Sequence, residues 1–87
     1  MAEVEMYTTE VCPYCVRAKR LLNKKGVAVT EIDVSSDEGL REFMTKRAGG
    51  KRSVPQIFIN GIHVGGCDDL YALDKAGKLD PMLAIEA

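Results

Sequence analysis

The chain has 87 residues, 46% of them hydrophobic, with 12 basic and 13 acidic side chains and a formal net charge of −1. That length suits one domain, spanning residues 1–87, with a modest core that buries about 60–65% of the extended surface. The balanced charge gives no footprint for nucleic acid or a membrane surface, and no apolar run nears the ~18 residues of a spanning helix.

Residues 3 to 8 alternate, with Val4, Met6 and Thr8 on one side and Glu3, Glu5 and Tyr7 on the other, which reads as a strand. A short loop, Thr9-Glu10-Val11, leads to a helix that starts near Cys12. Its inward stripe is Cys15, Ala18, Leu21 and Leu22; Lys24 and Lys25 suit its C-terminus, and Gly26 stops it. The β-branched run from Val27 to Val34 predicts a second strand. Ser35 and Glu38 stand at capping-box spacing for a second helix, with Leu40, Phe43 and Met44 as its core stripe and Gly49-Gly50 as its end.

Gln56 to Ile59 and Ile62 to Val64 flank Asn60-Gly61, a strong hairpin signal. Gly65-Gly66 turns into a third helix, with Leu70, Leu73 and Ala76 inward and Gly77 as stop. Asp80-Pro81 predicts a short tail helix with Pro81 in its first position. The order β-α-β-α-β-β-α implies an α/β fold. A parallel β-α-β crossover joins an antiparallel hairpin in a mixed four-stranded sheet flanked by helices.

The three cysteines are odd in number and wrongly spaced for a disulfide scaffold. The N-terminal residues Met1-Ala2-Glu3-Val4-Glu5 lack the basic and apolar regions of a secretory signal, which favours the cytoplasm. There, Cys12-Pro13-Tyr14-Cys15 after a strand is the signature of a redox dithiol. Residues i and i+3 lie one turn apart on a helix, so their sulfurs can bond. Only Cys12, at the helix start, has free backbone N–H groups beyond it. Pro13 has none, which leaves Tyr14 and Cys15 as donors.

A free thiol is only ~3% thiolate at neutral pH. Making it mostly thiolate, a drop of about three pH units, takes about 4 kcal/mol. The helix dipole supplies at most ~2 kcal/mol, so direct N–H···S⁻ bonds or a nearby cation must add the rest. Cys12 is therefore the expected nucleophile and Cys15 the resolving thiol. A zinc site needs about four ligands, and only Cys67 and His63 remain to join, so no metal is expected; two idle thiols are the other bland reading.

Cys12-Pro13-Tyr14-Cys15, Ser53-Val54-Pro55 and Gly65-Gly66-Cys67-Asp68-Asp69, in that order, resemble the glutaredoxin family, closest to the bacterial glutaredoxin-three class. The resemblance implies a thioredoxin fold with Pro55 cis beside the dithiol, and a glutathione-dependent thiol–disulfide oxidoreductase acting as a monomer. Its partners would be glutathione, serving as reductant, and disulfide-containing or glutathionylated proteins. The Val54 backbone would pair with the glutathione cysteine. Gly66, Cys67 and Asp68 would present N–H groups to the γ-glutamyl carboxylate, with the Asp68 carboxylate on the ammonium.

Asp69 reads as a helix cap. Tyr14 either flanks the glutathione or is an ordinary half-exposed helix residue. Many glutaredoxins carry Lys or Arg where this chain has Thr9, so Arg52 or Lys51 is the candidate cation for the glycine carboxylate. Cys67 reads as a small buried group or as a thiol activated by its helix, and His63 as structural. Two other functions fit the same motifs: an electron donor reduced by thioredoxin reductase, and an iron–sulfur carrier ligated by Cys12 and glutathione.

Overall fold

A computed structural model describes residues 2–85. Its elements are β1 (Val4–Thr8), α1 (Pro13–Lys24), β2 (Val29–Asp33), α2 (Glu38–Arg47), β3 (Gln56–Ile59), β4 (Ile62–Gly65), α3 (Cys67–Lys75) and α4 (Leu79–Ala84). The sheet order is β2-β1-β3-β4. β1 runs parallel to β2 and antiparallel to β3, and β3 is antiparallel to β4. This is the expected mixed sheet.

The alternation in β1 sorts its side chains onto two faces, as a period of two requires. Val4 and Met6, with Ile57 and Ile59 of β3, pack against Ala18 and Leu22 of α1, Leu70 of α3 and Leu79 of α4. Tyr7 and Phe58 point the other way, edge to face at 5.8 Å, onto Met44 and Ala48. Helices therefore cover both faces. The Asn60-Gly61 turn has positive φ at both residues, +50° and +80°, as a type I′ hairpin demands.

Four local expectations are corrected. α2 is capped by Asp37, whose carboxylate accepts from the Leu40 N–H at 3.0 Å, and not by Ser35. Asp33 holds Ser35 through both its N–H and its hydroxyl, so Ser35 is turned back toward β2. Leu40 and Phe43 are exposed, Phe43 by 58%; the inward side of α2 is Met44, Ala48 and the guanidinium of Arg47. Ala76 is an exposed C-cap of α3, whereas Leu73, half-buried, packs against the core as expected. Pro81 occupies the third position of α4, because the buried Leu79 starts that helix, while Asp80 pairs with Lys25, the C-cap of α1, at 2.9 Å. The same Lys25 reaches Asp74 of α3 at 2.7 Å, tying three helices together.

Candidate functional site: a dithiol at a helix start beside a polar groove

β1 ends at Thr8, and the chain enters α1 with Cys12 as N-cap and Pro13 as first residue. Pro13 fits because its missing N–H would have had no helical partner there. Cys12 and Cys15 are joined as a disulfide, with Cα atoms 5.2 Å apart. Cys15 is buried, 5% exposed, whereas Cys12 is half-buried, so Cys12 offers the accessible sulfur. The Cys15 N–H points at Cys12 Sγ at 3.1 Å. The first turn of α1 carries no acidic side chain to oppose negative charge on that sulfur. Thr9 lies outside this contact, its hydroxyl directed at the Val11 carbonyl.

Beside the dithiol turn lies a groove of about 210 Å³, lined by Tyr14, Lys51, Ser53, Val54, Pro55, Gln56, Gly66, Cys67, Asp68 and Asp69. Its walls reach Tyr14 but not the Cys12–Cys15 bond itself. One wall is the loop before β3, where the Val54–Pro55 peptide is cis and Pro55 is buried. Among the described residues, neither the N–H nor the carbonyl of Val54 makes a backbone hydrogen bond. The other wall is the start of α3. A Cβ at Gly66 would stand 3.4 Å from the Pro55 carbonyl, an ordinary contact distance, so the two walls lie within touching range. A Cβ at Gly65, where φ is +118°, would collide with the Asp69 carboxylate.

Asp69 Oδ2 accepts from the Gly66 N–H at 2.9 Å. Asp69 is thus the cap, and the Gly66 N–H is not free for a ligand. The N–H groups of Cys67 and Asp68, in the first turn of α3, have no helical acceptor and remain available. The Asp68 carboxylate is exposed beside them. Cys67 is 4% exposed, and burial pushes its thiol up from the ordinary range, further raised by Asp68 and eased by Arg17. It is the buried, protonated thiol rather than an activated one.

The two candidate cations part company. Lys51 stands on the groove wall, whereas the Arg52 guanidinium is bound to Glu38 at 2.7 Å on the side of α2. The Arg52 carbonyl is held by Arg41 from the same side. The structure therefore brings Tyr14, Val54, Pro55, Gly66, Cys67 and Asp68 to one groove and leaves the Arg52 side chain outside it. His63 also lies outside, stacked on Phe58 with ring centres 4.8 Å apart.

A glutaredoxin family profile matches residues 4–64. Glutaredoxin 3 of Escherichia coli K12 is 58% identical over 83 residues, covering 95% of this chain and 99% of its own length. A probable glutaredoxin of Synechocystis is 57% identical over 82 residues, covering 94% and 93%. The chain belongs to the glutaredoxin family. It is a dithiol glutaredoxin, a glutathione-dependent disulfide reductase. Solved relatives share its thioredoxin-like fold. The glutaredoxin–glutathione complex of buckwheat superposes with a TM-score of 0.86 at 33% identity, covering 94% of this chain and 76% of that one. The Brucella melitensis glutaredoxin gives 0.83 at 54% identity, covering 95% and 89%.

The roles of two residues of this glutaredoxin were not legible in its sequence. Arg47 forms a two-pronged pair with Glu5 (2.8 and 3.3 Å), meets the Tyr7 hydroxyl at 3.2 Å and lies 3.9 Å over the Phe58 ring. Gln56 is buried and polar, and its amide holds Ser53. For Gln56, a polar residue opening an apolar strand was the available signal; for Arg47, beside Lys46 at the end of a helix, there was none.

Proposed function

We propose that the groove binds glutathione in an extended form and delivers its sulfur to Cys12. Lys51 meets the glycine carboxylate, the free backbone of Val54 pairs with the cysteine, and the Cys67 and Asp68 N–H groups receive the γ-glutamyl carboxylate. The Asp68 carboxylate then takes the ammonium. The observation that carries this reading is that one groove gathers a cation, Lys51, the unpaired backbone of Val54, and the start of α3 with the Asp68 carboxylate. Glutathione carries groups complementary to each, and a helix N-terminus favours an anion.

Two substrate classes follow. With a protein–glutathione mixed disulfide, the Cys12 thiolate attacks the glutathione sulfur; the protein leaves as a thiolate and is protonated. A second glutathione thiolate attacks the glutathionylated Cys12, releasing glutathione disulfide and restoring the Cys12 thiolate. With a protein disulfide, the Cys12 thiolate attacks one protein sulfur and the other leaves as a thiolate; Cys15, losing its proton, then attacks Cys12 and displaces the bound protein sulfur as a thiolate, leaving the Cys12–Cys15 bond. Two glutathiones then reduce that bond, one after the other. Both routes pass through the mixed disulfide that thiol exchange requires. The cycle needs a reducing glutathione pool, which the cytoplasm supplies.

The test is reduction of a glutathionylated peptide, coupled to glutathione reductase, by wild type, Cys12→Ser and Cys15→Ser. Cys12→Ser abolishes turnover and Cys15→Ser retains it on this substrate while losing it on a protein disulfide. Wild type that turns over with thioredoxin reductase but not with glutathione would overturn the reading.

A further inference from the structure

Gln56 is 1% exposed and opens β3 directly after Pro55. Its amide is oriented by its partners. Nε2 donates to the Ser53 carbonyl at 3.0 Å and lies 3.3 Å from the Ser53 hydroxyl, while Oε1 faces His63 Nε2 at 2.7 Å. The reverse orientation would set Oε1 against the Ser53 carbonyl, two acceptors together. An amide oxygen only accepts, so His63 carries a hydrogen on Nε2.

His63 is well held for this task. The β3–β4 register places it opposite Phe58, and Gln56, two residues before Phe58, shares that face. The register shift leaves Val64 as an extra residue between the Phe58–His63 and Ile57–Gly65 pairs. Burial, with the charge of Lys51 next, pushes the His63 ring down from its ordinary range, which keeps it neutral. Both the neutral and the charged ring donate from Nε2.

We propose that His63 is a positioning residue that acts through Gln56 to hold the Ser53–Pro55 loop, and with it the Val54 backbone, where glutathione binds. This rests on the glutathione reading of the groove. The loop has two anchors: Arg41 grips the Arg52 carbonyl from α2, and Gln56 grips Ser53 from the sheet. Without His63, the Gln56 oxygen is buried with no donor, and the amide must turn to find one, which releases Ser53. His63 touches no reacting atom.

The experiment uses His63→Phe, which keeps a ring on Phe58 but has no donor, together with Gln56→Met and the double variant. Backbone order parameters of Ser53 and Val54 are measured by nitrogen relaxation, beside KM for a glutathionylated peptide and the alkylation rate of Cys12. In His63→Phe the order parameters fall and KM rises about tenfold, the effect of one net hydrogen bond, while Cys12 alkylation is unchanged. The double variant is no worse than Gln56→Met, since both changes break one chain of contacts.

A His63→Phe protein that melts earlier yet keeps loop order and a KM within about twofold of wild type would reduce His63 to a packing residue and overturn the proposal. Additive effects in the double variant would do the same. If His63→Phe fails to fold, Gln56→Met against wild type reads the same loop. If wild type does not turn over the glutathionylated peptide, the glutathione reading falls, and the loop order parameters alone decide the positioning role.

Discussion

The Cys15 N–H aimed at Cys12 Sγ is the contact on which the chemistry turns, and it can be removed without touching a side chain of the groove. Cys15→Ser deletes the second sulfur and keeps the N–H; Cys15→Pro deletes both. Position 15 is the third residue of α1, where a helix N–H has no carbonyl partner, so proline is tolerated there. α4 carries Pro81 at the same position. A hydrogen bond to a charged acceptor contributes about 1.5–3 kcal/mol, which moves an ionisation by about 1–2 pH units.

In the disulfide form the contact is 3.1 Å, within hydrogen-bonding range for sulfur. Titration of the thiolate by its ultraviolet absorbance, with circular dichroism as the check on folding, compares the two variants directly. Cys12 in Cys15→Pro ionises about 1–2 pH units higher than in Cys15→Ser. Equal midpoints in two folded variants would refute the argument that this N–H stabilises the thiolate, and would move the burden to the helix dipole or a side-chain cation.

Lys51→Ala raises KM for a glutathionylated peptide about three- to tenfold with kcat little changed, while Arg52→Ala leaves both within about twofold; steady-state kinetics check both. Glu38→Gln in the Lys51→Ala background releases the Arg52 guanidinium from its partner and recovers part of that KM, a result the same assay reads. Arg47→Met leaves Glu5 unpaired and removes a cation from the Phe58 ring. The pair is about a quarter exposed, between the surface and buried limits, so the loss is about 2 kcal/mol and the melting temperature falls by about 8–16 °C in calorimetry. Arg47 holds the Glu5 carboxyl below the ordinary carboxylate range. The stabilisation by this pair is therefore present at neutral pH and lost as pH falls through the lowered Glu5 value, so the melting temperatures of wild type and Arg47→Met converge in acid.

The parts of this fold that were legible are those whose signal is local. Val4 and Met6 against Glu5 and Tyr7 needed only the period of a strand, Asn60-Gly61 only the sterics of positive φ, and Cys12 to Cys15 only one helical turn. Arg47 could not be read that way. A charged residue late in a helix looks solvated until Glu5, 42 positions away, is brought opposite it. Ser35 and Asp37 both satisfied the local rule for a cap, and the choice was made by Asp33 holding Ser35. The same reasoning divides the site. Its sulfur chemistry is written in four consecutive residues, but its charge pattern is tertiary: Lys51 and Arg52 are neighbours of equal charge, and only the position of Glu38 on α2 turns one toward the groove's competitor and leaves the other on its wall. A motif can therefore name the reaction, while which of two neighbouring cations is left beside the groove is decided by a helix packed on the opposite face of the sheet.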